Sequence, residues 1–146
     1  MAQREILLVE DNPADQALCR EAFAEIGGDI RLSIAGSAPE ALRLLADRVA
    51  TGAPLPALIL LDIQLPGISG LDLLSRLRAD AHLGLLPVLM LTSSRHLSDV
   101  QEAYRLRANG YLVKPFDYEA LRGLMARVAA FWLDDVLPPG AVQTPA

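Results

Sequence analysis

The chemistry open to this sequence rests on residues that stand directly after apolar runs. Glu10 and Asp11 follow Ile6–Val9, and Asp62 follows Ala57–Leu61. Thr92 and Ser93 follow Val88–Leu91, and Lys114 and Pro115 follow Gly110–Val113. If the runs are neighbouring strands, three acids, a hydroxyl and a lysine gather at one sheet edge. Each has a bland reading as well: Glu10 and Asp11 would suit the positive end of a following helix, and Lys114 could simply partner an otherwise costly buried Asp62. Together they are harder to dismiss. Two carboxylates ~5 Å apart repel by about 3 kcal/mol at an effective dielectric of ~20, and three such pairs approach ~10 kcal/mol, the stability of a whole domain. One lysine offsets only part of this, so the site wants a divalent cation or must take up protons. A hard, all-oxygen site with few protein ligands and an open side suits Mg²⁺.

The elements that must hold these residues can be read from patterning. A further run, Ile30–Ile34, is broken by Arg31 and Ser33 and reads as an edge strand, whereas the first, third and fourth runs are apolar almost throughout, as parallel strands covered on both faces are. Helix starts are signalled by Asn12-Pro13 with Asp15, by Ser37-x-x-Glu40, Ser69-x-x-Asp72 and Ser98-x-x-Gln101. Gly27-Gly28, Gly52 and Asn109-Gly110 supply stops. Leu121, Leu124, Met125, Val128, Phe131 and Trp132 form the apolar stripe of a last helix from about Tyr118 to Leu133. Strict alternation of strand and helix predicts an α/β domain with a parallel sheet and right-handed crossovers. Ligands in such sheets bind beyond the carboxyl ends of the strands. The expected division is a domain over 1–134 and a tail over 135–146, in which Pro138-Pro139-Gly140 forbids further helix and AVQTPA is loose.

Composition narrows the setting. With 146 residues, 52% of them apolar, the chain can build a full core. A net charge of −5 argues against nucleic-acid binding. No apolar run approaches the ~20 residues of a membrane helix, the N-terminus meets acids too early for a secretory signal, and the single Cys19 fits a reducing compartment. A cytoplasmic location is expected. Cys19 reads as a small core residue, His82 and His96 as surface residues, and Gly67-x-x-Gly70 as the shaper of the turn after Asp62 rather than a nucleotide loop.

The segments ILLVEDN at 6–12, LILLDIQLPGISGLDLL at 58–74, PVLMLTSS at 87–94 and ANGYLVKPF at 108–116 resemble the receiver domains of two-component response regulators, the chemotaxis receiver among them, across nearly the whole chain. The resemblance implies a flavodoxin-like (βα)5 doubly wound sheet of strand order 2-1-3-4-5, the order that a chemotaxis receiver exemplifies. It implies Asp62 as phosphoryl acceptor from a histidine kinase phosphohistidine, and Mg²⁺ held by Asp11 directly, by Glu10 mainly through water, by Asp62 and by the backbone carbonyl of Gln64. Lys114 would hold a phosphoryl oxygen, with a cis peptide to Pro115, and Gln64 and Ser94 would flank the path of the hydrolysing water. Thr92 and Tyr111 would be the switch pair, Tyr111 turning inward once Thr92 moves to the phosphoryl group and so reshaping the face of the fourth helix, fifth strand and fifth helix. Such a chain accepts a phosphoryl group without being a turnover enzyme on an external substrate. Two other readings compare with it. A phosphatase working through an aspartyl phosphate would want an acid where Gln64 stands, and an unphosphorylated adaptor would be expected to have lost an acid or the lysine.

VEDNPAD at 9–15 and FWLDDVLPP at 131–139 resemble more narrowly the regulators paired with bacterial phytochromes. This implies a bacteriophytochrome as candidate kinase, no output domain after Leu133, and a homodimer. Two adjacent aromatics cannot share one helix stripe, so one of Phe131 and Trp132 is free to meet a partner chain.

Overall fold

The structure is a computed structural model that describes residues 4–139. Residues 140–146, and with them the expected loose tail AVQTPA, lie outside the described residues. Five parallel strands, β1 (Glu5–Val9), β2 (Arg31–Ala35), β3 (Leu58–Leu61), β4 (Val88–Thr92) and β5 (Gly110–Val113), alternate with helices α1 (Pro13–Ile26), α2 (Ala38–Thr51), α3 (Gly70–Ala79), α4 (Leu97–Arg105) and α5 (Tyr118–Ala129). The strand order is β2-β1-β3-β4-β5, so the chain reverses direction across the sheet after β2. β2 lies at an edge, as its interrupted run predicts.

Period-two alternation divides the sheet between two cores. Leu7, Val9, Ile59, Leu61, Val88 and Met90 pack with Ala41 and Leu45 of α2, Leu73, Leu74 and Leu77 of α3 and Ala103 of α4. Ile6, Leu8, Leu58, Leu60, Leu89 and Leu91 pack on the other face with Cys19, Ala22 and Phe23 of α1 and Leu121, Met125 and Val128 of α5. Burying each large aliphatic side chain contributes about 1.5–3 kcal/mol. Cys19 is therefore a core residue, and burial pushes its thiol up to about 11. His82 and His96 are exposed.

The helix signals hold at three starts. Asn12 accepts from the N–H groups of Ala14 and Asp15, Ser37 from Glu40, and Ser69 from Asp72. The fourth is shifted: α4 begins at Leu97 behind His96, which caps nothing with its side chain. Ser98 lies inside the helix, and Ser94 accepts from the N–H of His96 at 3.3 Å while its hydroxyl donates to Asp99 at 2.6 Å. The last helix also departs from expectation. After Ala129 the chain widens into a π-helical segment, Ala130–Asp135, in which the N–H of Val136 reaches the carbonyl of Phe131 at 2.8 Å. This segment packs Trp132 and Leu133 against the α1–α5 core and leaves Phe131 54% exposed, the two rings meeting edge to face at 5.6 Å.

β1 starts one residue before its apolar run, at a fully buried Glu5. Arg48 of α2 grips this carboxylate through two nitrogens at 2.7 and 2.9 Å, and Ser33 of β2 donates to it. These hydrogen bonds outweigh burial, which alone would raise it, and hold the Glu5 carboxyl below its ordinary value. Among the described residues no helix is long and apolar enough to cross a membrane.

Candidate functional site

The sheet ladder itself brings the chemical residues together. Asp62 N–H donates to the carbonyl of Val9 at 3.1 Å, Glu10 N–H to Ala35 at 3.0 Å, and Lys114 N–H to Thr92 at 2.9 Å. The residues after β1, β3 and β5 are thus each pinned to a neighbouring strand, and these carboxyl ends deliver Glu10, Asp11, Asp62 and Lys114 to one cleft. That cleft has a volume of about 370 Å³ and is lined by Glu10, Asp11, Asn12, Pro13, Asp15, Asp62 and Gln64.

The turn after Asp62 depends on one glycine. A Cβ on Gly70 would sit 1.9 Å from the Asp62 carbonyl oxygen and 2.9 Å from Ile63 Cα, so only glycine lets α3 start this close to β3. Gly67, at φ +74°, makes the left-handed step before it. The Gly67-x-x-Gly70 spacing therefore shapes the acceptor turn.

Lys114 stands at the centre of the charges. Its Nζ donates to Asp62 Oδ2 at 2.8 Å, to Asp15 Oδ2 at 3.0 Å and to Glu10 Oε1. The second Glu10 oxygen accepts the N–H of Asn12 at 3.0 Å, and Asp62 Oδ1 accepts the N–H of Gln64 at 3.2 Å. Burial pushes the Glu10 carboxyl up to about 7, against the hydrogen bonds of Lys114 and Asn12 and with help from the Asp62 charge. Burial alone would lower the Lys114 ammonium, but its bonds to Asp62, Glu10 and Asp15 hold it above its ordinary value. The peptide to Pro115 is trans, which corrects the cis expectation. Trans is the ordinary X–Pro state, and from it the lysine already reaches all three carboxylates.

Glu10, Asp11 and Asp62 each offer an oxygen within 4.8 Å of the others. Three hard oxygen donors on one open cleft fit a divalent cation of the Mg²⁺ kind, which keeps waters and favours carboxylates and phosphate. With Lys114 beside Asp62, the arrangement can hold a phosphoryl group against a carboxylate nucleophile.

Thr92 and Tyr111 lie one step away. Thr92 is fully buried at the end of β4. Ser94 N–H points to its hydroxyl at 3.5 Å, and the Tyr111 hydroxyl donates to the Ser94 carbonyl at 2.9 Å. Tyr111 is thus partly buried and packs against the core. The hydrogen bond to Ser94 explains the position. Asp15, read from sequence as a helix-start residue, was missed as a partner of Lys114. Its signal was only its place one turn after the acid pair.

The family model of the response regulator receiver domain matches residues 6–126. The chain is 35% identical over 135 residues to the probable methanogenesis regulatory protein FilR2 of Methanothrix harundinacea, covering 92% of this chain and 87% of that one. It is 34% identical over 137 residues to response regulator Rcp1 of Synechocystis, covering 93% of both chains. The crystal structure of the Mn²⁺-bound form of response regulator Rcp1 superposes with a TM-score of 0.81 at 32% identity, over 94% of this chain and 99% of that one. The crystal structure of the phosphorylated cyanobacterial phytochrome response regulator RcpA does so with a TM-score of 0.87 at 31% identity, over 95% and 100%.

Proposed function

The chain belongs to the response regulator receiver family, and from that premise we propose that Asp62 accepts a phosphoryl group from the phosphohistidine of a histidine kinase. The observation that carries this is the buried Asp62 carboxylate clasped by Lys114 beside Glu10 and Asp11. Asp62 attacks phosphorus in line. The new O–P bond forms as the donor P–N bond breaks, and the electron pair returns to the imidazole, which takes up a proton from solvent. Such transfer asks mainly for positioning and charge neutralisation. A Mg²⁺ ion would be held by Asp11, Asp62 and the Gln64 carbonyl, with Glu10 acting through water, and would supply that neutralisation; the Mn²⁺-bound form of Rcp1 supports a divalent metal in such a site. Lys114 holds a phosphoryl oxygen. Thr92 turns its hydroxyl to the new group, and the change passes through Ser94 to Tyr111 and the α4–β5–α5 face. Gln64 and Ser94 flank the path of the water that later removes the group. Gln64 also stands where a phosphatase of this chemistry would carry its second acid, which favours a signalling acceptor over an enzyme.

The receiver domain spans 1–134 in this reading, followed by a tail over 135–146. The likeness to the phytochrome response regulator RcpA supports a bacteriophytochrome as the kinase; a cytoplasmic location without nucleic acid or membrane as partner rests on the net charge of −5 and the short apolar runs of the sequence. The exposed Phe131 and Leu137 support a homodimer through the C-terminal region. The test is transfer from an autophosphorylated bacteriophytochrome kinase. Label should move to the wild-type chain in Mg²⁺ and in amounts set by the light state. Transfer indifferent to illumination would overturn the phytochrome pairing.

A further inference from the structure

We propose that Gln16 is a positioning residue for the metal site: its side-chain amide holds the peptide shared by Glu10 and Asp11, and so keeps Asp11 aimed into the cleft. This rests on the reading of Asp11 as a Mg²⁺ ligand. Gln16 Nε2 donates to the Glu10 carbonyl oxygen at 2.7 Å. That carbonyl stands past the ladder bonds of Asp62 to Val9 and of Glu10 to Ala35, so a side chain rather than a strand meets it. Gln16 is itself anchored, its N–H donating to the Asn12 carbonyl at 3.0 Å in the first turn of α1, whose start Asn12 caps.

The three acids are secured unequally. Glu10 and Asp62 are buried, and each is tied to Lys114 and to a backbone N–H, from Asn12 and Gln64 respectively. Asp11 is exposed, and among the described residues its carboxylate has no hydrogen bond or ion pair. Yet it offers an oxygen within 4.8 Å of those of Glu10 and Asp62, two like charges that push it outward. Its direction is therefore set by the backbone. A peptide unit is planar and turns as one body, so rotating the Glu10–Asp11 unit swings the Asp11 side chain away from the other two. Both peptides that flank Asp11 are held against this. The one after it is fixed by the Asn12 N–H on Glu10 Oε2 at 3.0 Å, and the one before it by Gln16. Groups that orient a ligand from behind are commonly worth about 10–100-fold in metal affinity.

The test uses the full chain and two variants, either of which suffices if folded. Gln16→Met keeps side-chain length and helix propensity and removes the donor; Gln16→Ala removes the amide altogether. Calorimetric titration with MgCl₂ should give a Kd about tenfold weaker than wild type in both. Labelling by acetyl phosphate should then split: half-maximal rate should require about tenfold more Mg²⁺, while the rate at saturating Mg²⁺ stays within about twofold of wild type. A general loosening of the fold would lower both. A readout before any Mg²⁺ is added is the ¹⁵N signal of the Asp11 amide, which senses the bond to the carbonyl of its own peptide and should move in both variants. Variants that bind Mg²⁺ as tightly as wild type, labelling lost at saturating as well as at low Mg²⁺, or an unmoved Asp11 signal would each overturn the proposal. Wild type that binds no Mg²⁺ would instead remove the reading of the acid cluster as a metal site, and this inference with it.

Discussion

Lowering the pH from about 8 to about 6 is expected to weaken Mg²⁺ binding about tenfold, through Glu10, because a metal competes with protons for its ligands. The Glu10 side chain is 2% exposed, and burial pushes its carboxyl from an ordinary 4.5 up to about 7. With that value the carboxylate is about nine-tenths ionised at pH ~8 and about one-tenth ionised at pH ~6, a factor of about ten in binding. The same shift sets a slope in the metal-free fold. The folded value lies above the unfolded one, so the native state holds the extra proton between about 4.5 and about 7. Stability without metal should therefore fall as pH rises through that window, by up to about 3 kcal/mol, and saturating Mg²⁺ should restore it on the alkaline side. Calorimetric titration of Mg²⁺ at several pH values, in buffers of different ionisation heat, reads both the affinity and the protons released. Glu10→Gln should flatten the pH dependence. A Mg²⁺ affinity constant across this range, or one that keeps its slope in Glu10→Gln, would refute the reasoning.

Three further outcomes follow from the same geometry. Gly70→Ala forces a methyl into the Asp62 carbonyl; it should cost about 3 kcal/mol or more in denaturant unfolding and slow phosphorylation by displacing the acceptor turn. Arg48→Met removes the guanidinium from buried Glu5 and should cost about 3–5 kcal/mol at neutral pH. Because the Glu5 carboxyl is held below its usual value, that contribution is present above pH ~4.5 and is lost as pH falls further, so wild-type and variant melting curves should converge in acid. Light scattering at micromolar concentration should give twice the chain mass, falling to the monomer mass in Phe131→Asp; a wild-type monomer would refute the dimer.

Most of the fold is legible because a strand covered on both faces must be apolar throughout, as Leu58–Leu61 is, and because caps such as Asn12 and Ser37 act within a few residues. What escapes reading acts at a distance. Glu5 looks like the polar residue before a strand, and only the packing of α2 against β1 supplies the Arg48 that lets it be buried. The start of α4 moved because Ser94, buried under the loop, takes the Asp99 side chain. The π-helical segment satisfies Trp132 and Phe131 in opposite directions, which a straight stripe does not foresee. At the site, Glu10, Asp11, Asp62 and Lys114 are readable because each stands within two residues of a strand's end. Asp15 is not, because its approach to Lys114 joins the first turn of α1 to the residue after β5, 99 positions away in the chain.

The central claim is that Asp62 is the acceptor, and intact-mass spectrometry after incubation with acetyl phosphate and Mg²⁺ tests it most directly. The account predicts one phosphoryl group on the wild-type chain, chemically labile and mapping to Asp62, and none on a folded Asp62→Asn variant. Undiminished labelling of Asp62→Asn would contradict it.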